Sequence, residues 1–234
     1  MSEDPNQSTI LPSTSTLTIT DDLAINLNLN LNLIYMDVVI VKYNAGNIES
    51  VRNALLRQGI RAEISGDAAR IRAADKVIFP GVGEATTTMR YLKAHGLDEV
   101  IRSLKQPVLG ICLGLQLMCS FTEEGNTACL GIFDVAVKRF LPEPGREFLD
   151  KVPHMGWNVI SELKGGILSP AMERQYFYFA NSYYAEVGEQ TSALCNYITP
   201  FSAALQRDNF YATQFHPEKS GVLGACVLKN FTDL

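Results

Sequence analysis

Cys112 lies two residues after Gly110 and two before Gly114, in the stretch Gln106-Pro107-Val108-Leu109-Gly110-Ile111-Cys112-Leu113-Gly114-Leu115-Gln116. This is the spacing of a nucleophile elbow, G-x-Nu-x-G, with a thiol as the nucleophile. A nucleophile on a tight strand-to-helix turn needs strained backbone angles, and glycines on both flanks let the turn close. The helix that follows aims its free N–H groups and positive dipole end at the sulfur. Both favour a thiolate and any anion formed beside it. A core cysteine between two turn glycines fits the same pattern, since free cysteine is among the most buried residue types.

A cysteine nucleophile needs a base and a group that orients the base. The chain has three histidines, His95, His154 and His216. His95 precedes Gly96 at a helix end, where it would cap. His216 lies in Gln214-Phe215-His216-Pro217-Glu218, directly after an apolar strand. Residues two apart in extended chain point to one side, so Glu218 can hold an imidazole that faces Cys112. Pro217 restricts the backbone between them. Alone, His-Pro-Glu is a surface turn; beside a cysteine elbow it becomes a base with its acid.

The elements that must position these groups can be read in order. Asp37–Val41 is a strand, followed by a loop from Asn44. Asn47 N-caps a helix over Ile48–Gln58, whose apolar stripe is Ile48, Val51, Leu55 and Leu56. Strands at Arg61–Ile64 and Lys76–Phe79 flank a helix at Ala68–Ala74. After the loop Pro80-Gly81-Val82-Gly83, helices are expected at Ala85–Ala94 and Leu97–Leu104. The strand before Cys112 comes next. Alternating strands and helices imply an α/β, doubly wound, mostly parallel sheet with helices on both faces. Its active site lies beyond the carboxyl ends of the strands. Past Ser120 the texture is β: Gly131–Phe140, Val159-Ile160, Tyr176–Phe179, Ala193–Ile198, Ala203–Gln206 and Tyr211–Phe215 read as strands of an additional antiparallel region. A helix over Gly221–Phe231 closes the domain.

With 234 residues, 47% apolar and 19% charged, the chain suits one globular domain. The net charge of −5 argues against nucleic acid or an anionic membrane as a partner. No apolar run approaches the ~20 residues of a membrane span. Five cysteines without a C-x-x-C pair indicate neither a disulfide framework nor a zinc site, and suit a reducing cytoplasm. Residues 1–35 are rich in Ser, Thr and Asn, with an Asn-Leu repeat, and read as a low-complexity extension. Residues 36–234 form the functional domain. No metal or cofactor is expected.

Gly-Ile-Cys-Leu-Gly-Leu-Gln at 110–116 and Gln-Phe-His-Pro-Glu at 214–218, about a hundred residues apart, resemble the class I (triad) glutamine amidotransferases. The finer likeness is to the glutaminase subunits of imidazole glycerol phosphate synthase, in histidine biosynthesis. Asn44-Ala45-Gly46-Asn47, Pro80-Gly81-Val82-Gly83, His154-Met155-Gly156-Trp157-Asn158 and His216-Pro217-Glu218-Lys219-Ser220 carry it. The likeness runs from about Met36 to the C-terminus.

The resemblance implies roles. Cys112 attacks the carboxamide of L-glutamine, His216 moves the proton, and Glu218 orients His216. The N–H of Leu113 serves the oxyanion, with a second donor from Gly81-Val82. Relatives in other pathways carry Gly-Gly in that loop; β-branched Val82 resists a flip into positive φ, so the donor is misdirected at rest. Gln116, Glu124 and Asn181-Ser182-Tyr183 contact the substrate, with Asn181 standing where the family carries His. Trp157, Asn47 and Lys219 would face a (β/α)₈-barrel cyclase subunit in a heterodimer. That subunit would use the ammonia to convert the ribulosyl nucleotide PRFAR to imidazole glycerol phosphate and the nucleotide AICAR. Two other readings remain: a glutaminase of another pathway, such as pyridoxal-phosphate synthase, and a catalytically silent binding module.

Overall fold

The computed structural model describes residues 36–43 and 46–234. The extension over 1–35 and the loop start at Asn44 lie outside them. Thirteen strands and six α-helices are assigned among the described residues. In chain order the first elements are β1 (Val38–Val41), α1 (Ile48–Leu56), β2 (Ala62–Ser65), α2 (Ala68–Ala73), β3 (Lys76–Gly81), α3 (Ala85–Ala94) and α4 (Leu97–Ser103). Then come β4 (Val108–Cys112), α5 (Leu113–Met118), β5 (Phe121–Thr122), β6 (Thr127–Ala128), β7 (Ala136–Arg139) and β8 (His154–Ser161). The last are β9 (Tyr176–Asn181), β10 (Tyr183–Ala185), β11 (Thr191–Tyr197), β12 (Thr199–Arg207), β13 (Phe210–Thr213) and α6 (Gly221–Thr232).

Nine strands form one sheet in the order β2-β1-β3-β4-β13-β12-β11-β8-β9. From β2 to β13 the strands are parallel; from β13 to β9 each pair is antiparallel. The β-rich second half thus extends the parallel sheet, while β10-β7-β5-β6 make a smaller separate sheet. Alternation along the parallel strands builds two cores. Val39, Val41, Val77 and Phe79 face Ile71, Leu92, Ile101 and Leu115 of α2 to α5. Val38, Ile40, Ile78 and Ile111 face Val51 and Leu55 of α1 and Val227, Leu228 and Phe231 of α6. Strands buried on both faces read as continuous apolar runs, as VVIV in β1 does.

Several expectations need correction. Leu56 is 55% exposed; the buried face of α1 is Val51, Ala54 and Leu55, because Leu56 falls past the edge of the stripe. Asn47 occupies the N-cap position at φ 68°, but its side chain caps nothing. The strand expected over Gly131–Phe140 starts only at Ala136. Gly131 has φ 67°, and the N–H groups of Ile132 and Phe133 both turn back to the carbonyl of Met118. Pro80 and Gly81 belong to β3, not to a loop, since β3 pairs with β4 as far as Gly81 opposite Cys112. Val159-Ile160 is the end of a longer strand that begins at His154.

Candidate active site

β4 ends at Cys112 between two parallel neighbours. On one side Gly81, the end of β3, pairs with Cys112; on the other, Thr213, the end of β13, pairs with Ile111. The chain therefore delivers Gly81-Val82-Gly83 and Gln214-Phe215-His216 to the same rim. Cys112 itself has φ 54° and ψ −105°, a conformation L-residues avoid, and it directly precedes α5. The flanking glycines act through space. A Cβ at Gly114 would stand 1.9 Å from the carbonyl oxygen of Phe79, and one at Gly110 would stand 2.8 Å from Met118 Sδ. The elbow closes because β3 and α5 approach where a side chain would otherwise sit.

His216 is 1% exposed. Its N–H donates to the carbonyl of Tyr178 at 2.9 Å, and its own carbonyl accepts from Ser220 Oγ at 2.7 Å. Both tie it to the β9 side of the sheet. Nδ1 lies 2.8 Å from Glu218 Oε1. Glu218 reaches it through the 3₁₀ turn Pro217–Lys219, not along extended chain, so the expected contact forms by a different route. Nε2 has no partner that satisfies hydrogen-bond geometry, yet the Cys112 sulfur is near enough to act on the ring. Burial disfavours the charged imidazole, but the sulfur and the Glu218 carboxylate outweigh it and push His216 up to about 10. An imidazolium between a sulfur and a carboxylate is the charge pattern that a thiolate nucleophile requires.

A cavity of about 290 Å³ opens in front of Cys112, lined among others by Val82, Leu113, Gln116, Glu124 and Asn181-Ser182-Tyr183. It gathers these sequence-derived candidates around the sulfur. Gly81 lies just outside: a Cβ there would meet Tyr43 Oη at 2.1 Å and Leu113 Cβ at 3.1 Å. Tyr43 Oη donates to the carbonyl of Pro80. Val82 is absent from the residues with positive φ, and Gly83 has φ 135°.

Glu124 Oε2 accepts from the N–H of Ala85 at 2.8 Å, and burial raises its pKa. It is therefore tied to the start of α3 and is not a free loop carboxylate. Gln116 is buried, and its amide nitrogen is already taken by the Tyr183 carbonyl at 2.9 Å and Gln214 Oε1 at 3.1 Å. Asn181 Nδ2 donates to the same Tyr183 carbonyl at 2.9 Å, while its Oδ1 is buried and unpartnered. Gln214, within the quoted motif but given no role there, is fully buried against Cys112. Its proximity to the sulfur depends on pairing across the sheet and leaves no local signal.

Of the expected partner-facing residues, Trp157 is 55% exposed and packs edge-on against Tyr178, whose ring also lies 5.8 Å from Lys219 Nζ. Trp157 of β8 and Lys219 of the 3₁₀ turn thus both pack against Tyr178 of β9. Asn47 instead donates to Glu218 Oε1 at 2.5 Å. His154, at the head of the same motif, is buried. No helix among the described residues is long and apolar enough to cross a membrane.

Residues 39–233 match the family model "Glutamine amidotransferase class-I". The chain is 59% identical to imidazole glycerol phosphate synthase subunit HisH of Bacteroides fragilis, over 85% of this chain and all of that one. It is 43% identical to the Escherichia coli protein of the same name, over 85% of this chain and all of that one. Among solved structures it resembles a crystal structure of a glutamine amidotransferase, with TM-score 0.63 and 18% identity over 83% of this chain and 97% of that chain. It also resembles PurLQS from Thermotoga maritima, with TM-score 0.60 and 14% identity over 84% and 97% of the two chains. At those identities the structures speak for the fold alone.

Proposed function

The chain belongs to the class I glutamine amidotransferase family, and from that premise we propose that Cys112, His216 and Glu218 hydrolyse the side-chain amide of L-glutamine. The protein is the glutaminase subunit of an imidazole glycerol phosphate synthase. It works in a heterodimer with a (β/α)₈-barrel cyclase subunit, which uses the ammonia to make imidazole glycerol phosphate and AICAR from PRFAR in histidine biosynthesis. The observation that carries the catalytic reading is the strained backbone of Cys112, φ 54°, at the mouth of a cavity beside the buried His216–Glu218 pair.

The thiolate of Cys112 attacks the amide carbon, and its electron pair forms the C–S bond. The carbonyl pair moves to oxygen, where the first helical N–H, that of Leu113, and a donor from Gly81-Val82 receive it. Collapse breaks the C–N bond. His216 gives its proton to the departing nitrogen, which leaves as ammonia. Water then attacks the thioester, His216 takes the water's proton, and the C–S pair returns to sulfur. Glutamate is released. Glu218 holds the imidazole through Nδ1 so that Nε2 serves the reacting atoms. Glu124 and the Asn181-Ser182-Tyr183 segment hold the amino-acid end of the substrate. Trp157 and Lys219 meet the cyclase, and Asn47 lies where that contact approaches the triad. The cytoplasm is the compartment in which five free thiols persist.

The test is a glutaminase assay with and without a cyclase barrel and its nucleotide ligand. Strong activation is expected only with both present. Cys112→Ala should abolish the glutamine-dependent synthase reaction while the same complex supplied with ammonium salts still makes product. Glutamine hydrolysis persisting in Cys112→Ala would overturn the catalytic assignment.

A further inference from the structure

Gln214 is fully buried, directly follows β13, and takes no part in the proton transfers described above. Its main-chain N–H is anchored to the carbonyl of Ala203 at 2.8 Å. Its side-chain nitrogen lies 3.7 Å from Cys112 Sγ, within N–H···S reach. Which end of a carboxamide faces a sulfur is normally ambiguous, but here its neighbours decide it. The main-chain carbonyl of Tyr183 can only accept. The atom of Gln116 lying 2.9 Å from it is therefore the amide nitrogen. That same nitrogen lies 3.1 Å from Gln214, so the Gln214 atom it meets is the oxygen. The opposite end of Gln214, the end at Cys112, must carry the hydrogens. One backbone carbonyl thus sets every direction in the relay from Tyr183 through Gln116 to Gln214.

We propose that Gln214 is a second catalytic donor to the Cys112 sulfur, with its amide N–H holding the thiolate and Gln116 holding Gln214 in the donating orientation. The proposal rests on Cys112 being the nucleophile. A buried thiolate needs donors, and a hydrogen bond to the charged form favours that form. His216 cannot supply this throughout the cycle, because it surrenders its proton to the leaving ammonia. Gln214 is neutral and never titrates. It stays aimed at the sulfur while the thioester exists and stabilises the pair that returns to sulfur when water cleaves the C–S bond. Gln116 and Gln214 therefore form a unit, in which Gln116 is a positioning residue acting through its neighbour.

The experiment follows alkylation of Cys112 in the full-length chain by iodoacetamide across pH, read peptide by peptide by mass spectrometry, with exposed Cys226 as internal standard. Gln214→Met, similar in shape but without a donor, should move the Cys112 midpoint up by about one pH unit, the scale of one hydrogen bond to a charged group. Below the midpoint that slows alkylation about tenfold. Glutamine turnover in the activated complex should fall in kcat with KM little changed. Should Gln214→Met fail to fold, as judged by circular dichroism, Gln116→Met is read in its place and should shift the midpoint in the same direction. A folded variant whose Cys112 midpoint coincides with wild type overturns the proposal and leaves the nucleophile standing. A wild-type Cys112 that stays unalkylated at every pH while Cys226 reacts overturns the nucleophile itself.

Discussion

Asn47 Nδ2 donates a 2.5 Å hydrogen bond to Oε1 of Glu218, the same oxygen that lies 2.8 Å from His216 Nδ1. The other carboxylate oxygen, Oε2, is buried without a partner. One oxygen thus serves two donors, which fixes the carboxylate plane and with it the imidazole. Asn47 is displaced from an ordinary N-cap conformation to do this: its φ is 68°, and its side chain ignores α1. Removing the donor should free the carboxylate to rotate. Asn47→Ala is expected to lower kcat for glutamine by about tenfold, the size of one charge-assisted hydrogen bond, with KM within twofold. Steady-state kinetics of the activated complex decide it; an unchanged kcat would show that His216 needs no such brace.

Gly114 should tolerate no side chain. A Cβ there would sit 1.9 Å from the Phe79 carbonyl oxygen, a backbone atom of β3 that cannot swing away. Gly114→Ala must push α5 off β3 and distort the turn at Cys112. A loss of about 1–3 kcal/mol in urea unfolding is expected, together with loss of turnover. Gly131→Ala is the contrast. Its Cβ meets nothing within 4 Å, so only the positive φ of 67° is strained, and turnover should survive.

Val82 offers a test of the resting state. Its Cγ2 would stand 2.9 Å from a Cβ at Gly46, so the side chain packs close against the turn that leads into α1. It has no positive φ, whereas the adjacent Gly83 does. Val82→Gly removes both the packing and the β-branched penalty against a flip. Glutaminase activity of the subunit alone should rise, and the ratio of activated to unactivated rates should fall. An unchanged basal rate would place the restraint elsewhere, with the Tyr43 hydrogen bond to Pro80 as the next candidate.

Local rules sufficed for the elbow and the parallel half of the sheet. Gly110 and Gly114 announce the turn, and unbroken apolar runs announce strands covered on both faces. Those rules fail where a residue's partner is distant. Gln214 and Cys112 are 102 positions apart, and Asn47 and Glu218 are 171 apart. Nothing beside Asn47 in the chain says that its amide will bypass its own helix for a carboxylate in another turn. The strand at His154 was hidden for a different reason. Gly156, with φ 135°, interrupts the alternation, so pairing with β9 rather than propensity makes it a strand. The exposure of Leu56 shows the limit of periodicity: it lies at the edge of the apolar stripe, outside the buried face of Val51, Ala54 and Leu55.

His154 makes stability depend on pH in a calculable direction. Its ring stacks on Tyr197 at 3.9 Å and on Phe179 at 4.9 Å, with Phe140 and Phe201 at its edges. Asn158 Nδ2 lies 3.3 Å from Nε2, and that amide is oriented by its bonds to the Asn196 carbonyl and the Val159 N–H. Nε2 must therefore accept, and a proton added there would set two donors face to face. Burial alone lowers the pKa to about 4. The unfolded chain, with an ordinary histidine near 6.5, binds more protons than the native state between those values. Stability is thus full above about pH 6.5 and is lost as the pH falls toward 4. Between pH 7 and pH 5 the loss from this one ring is about 2 kcal/mol. Urea unfolding at both pH values should show it, and His154→Phe should remove it while leaving stability at pH 7 nearly unchanged. Equal pH dependence in the variant would assign the acid sensitivity to other groups, with His216 excluded by sign: its raised pKa strengthens the fold as protons bind.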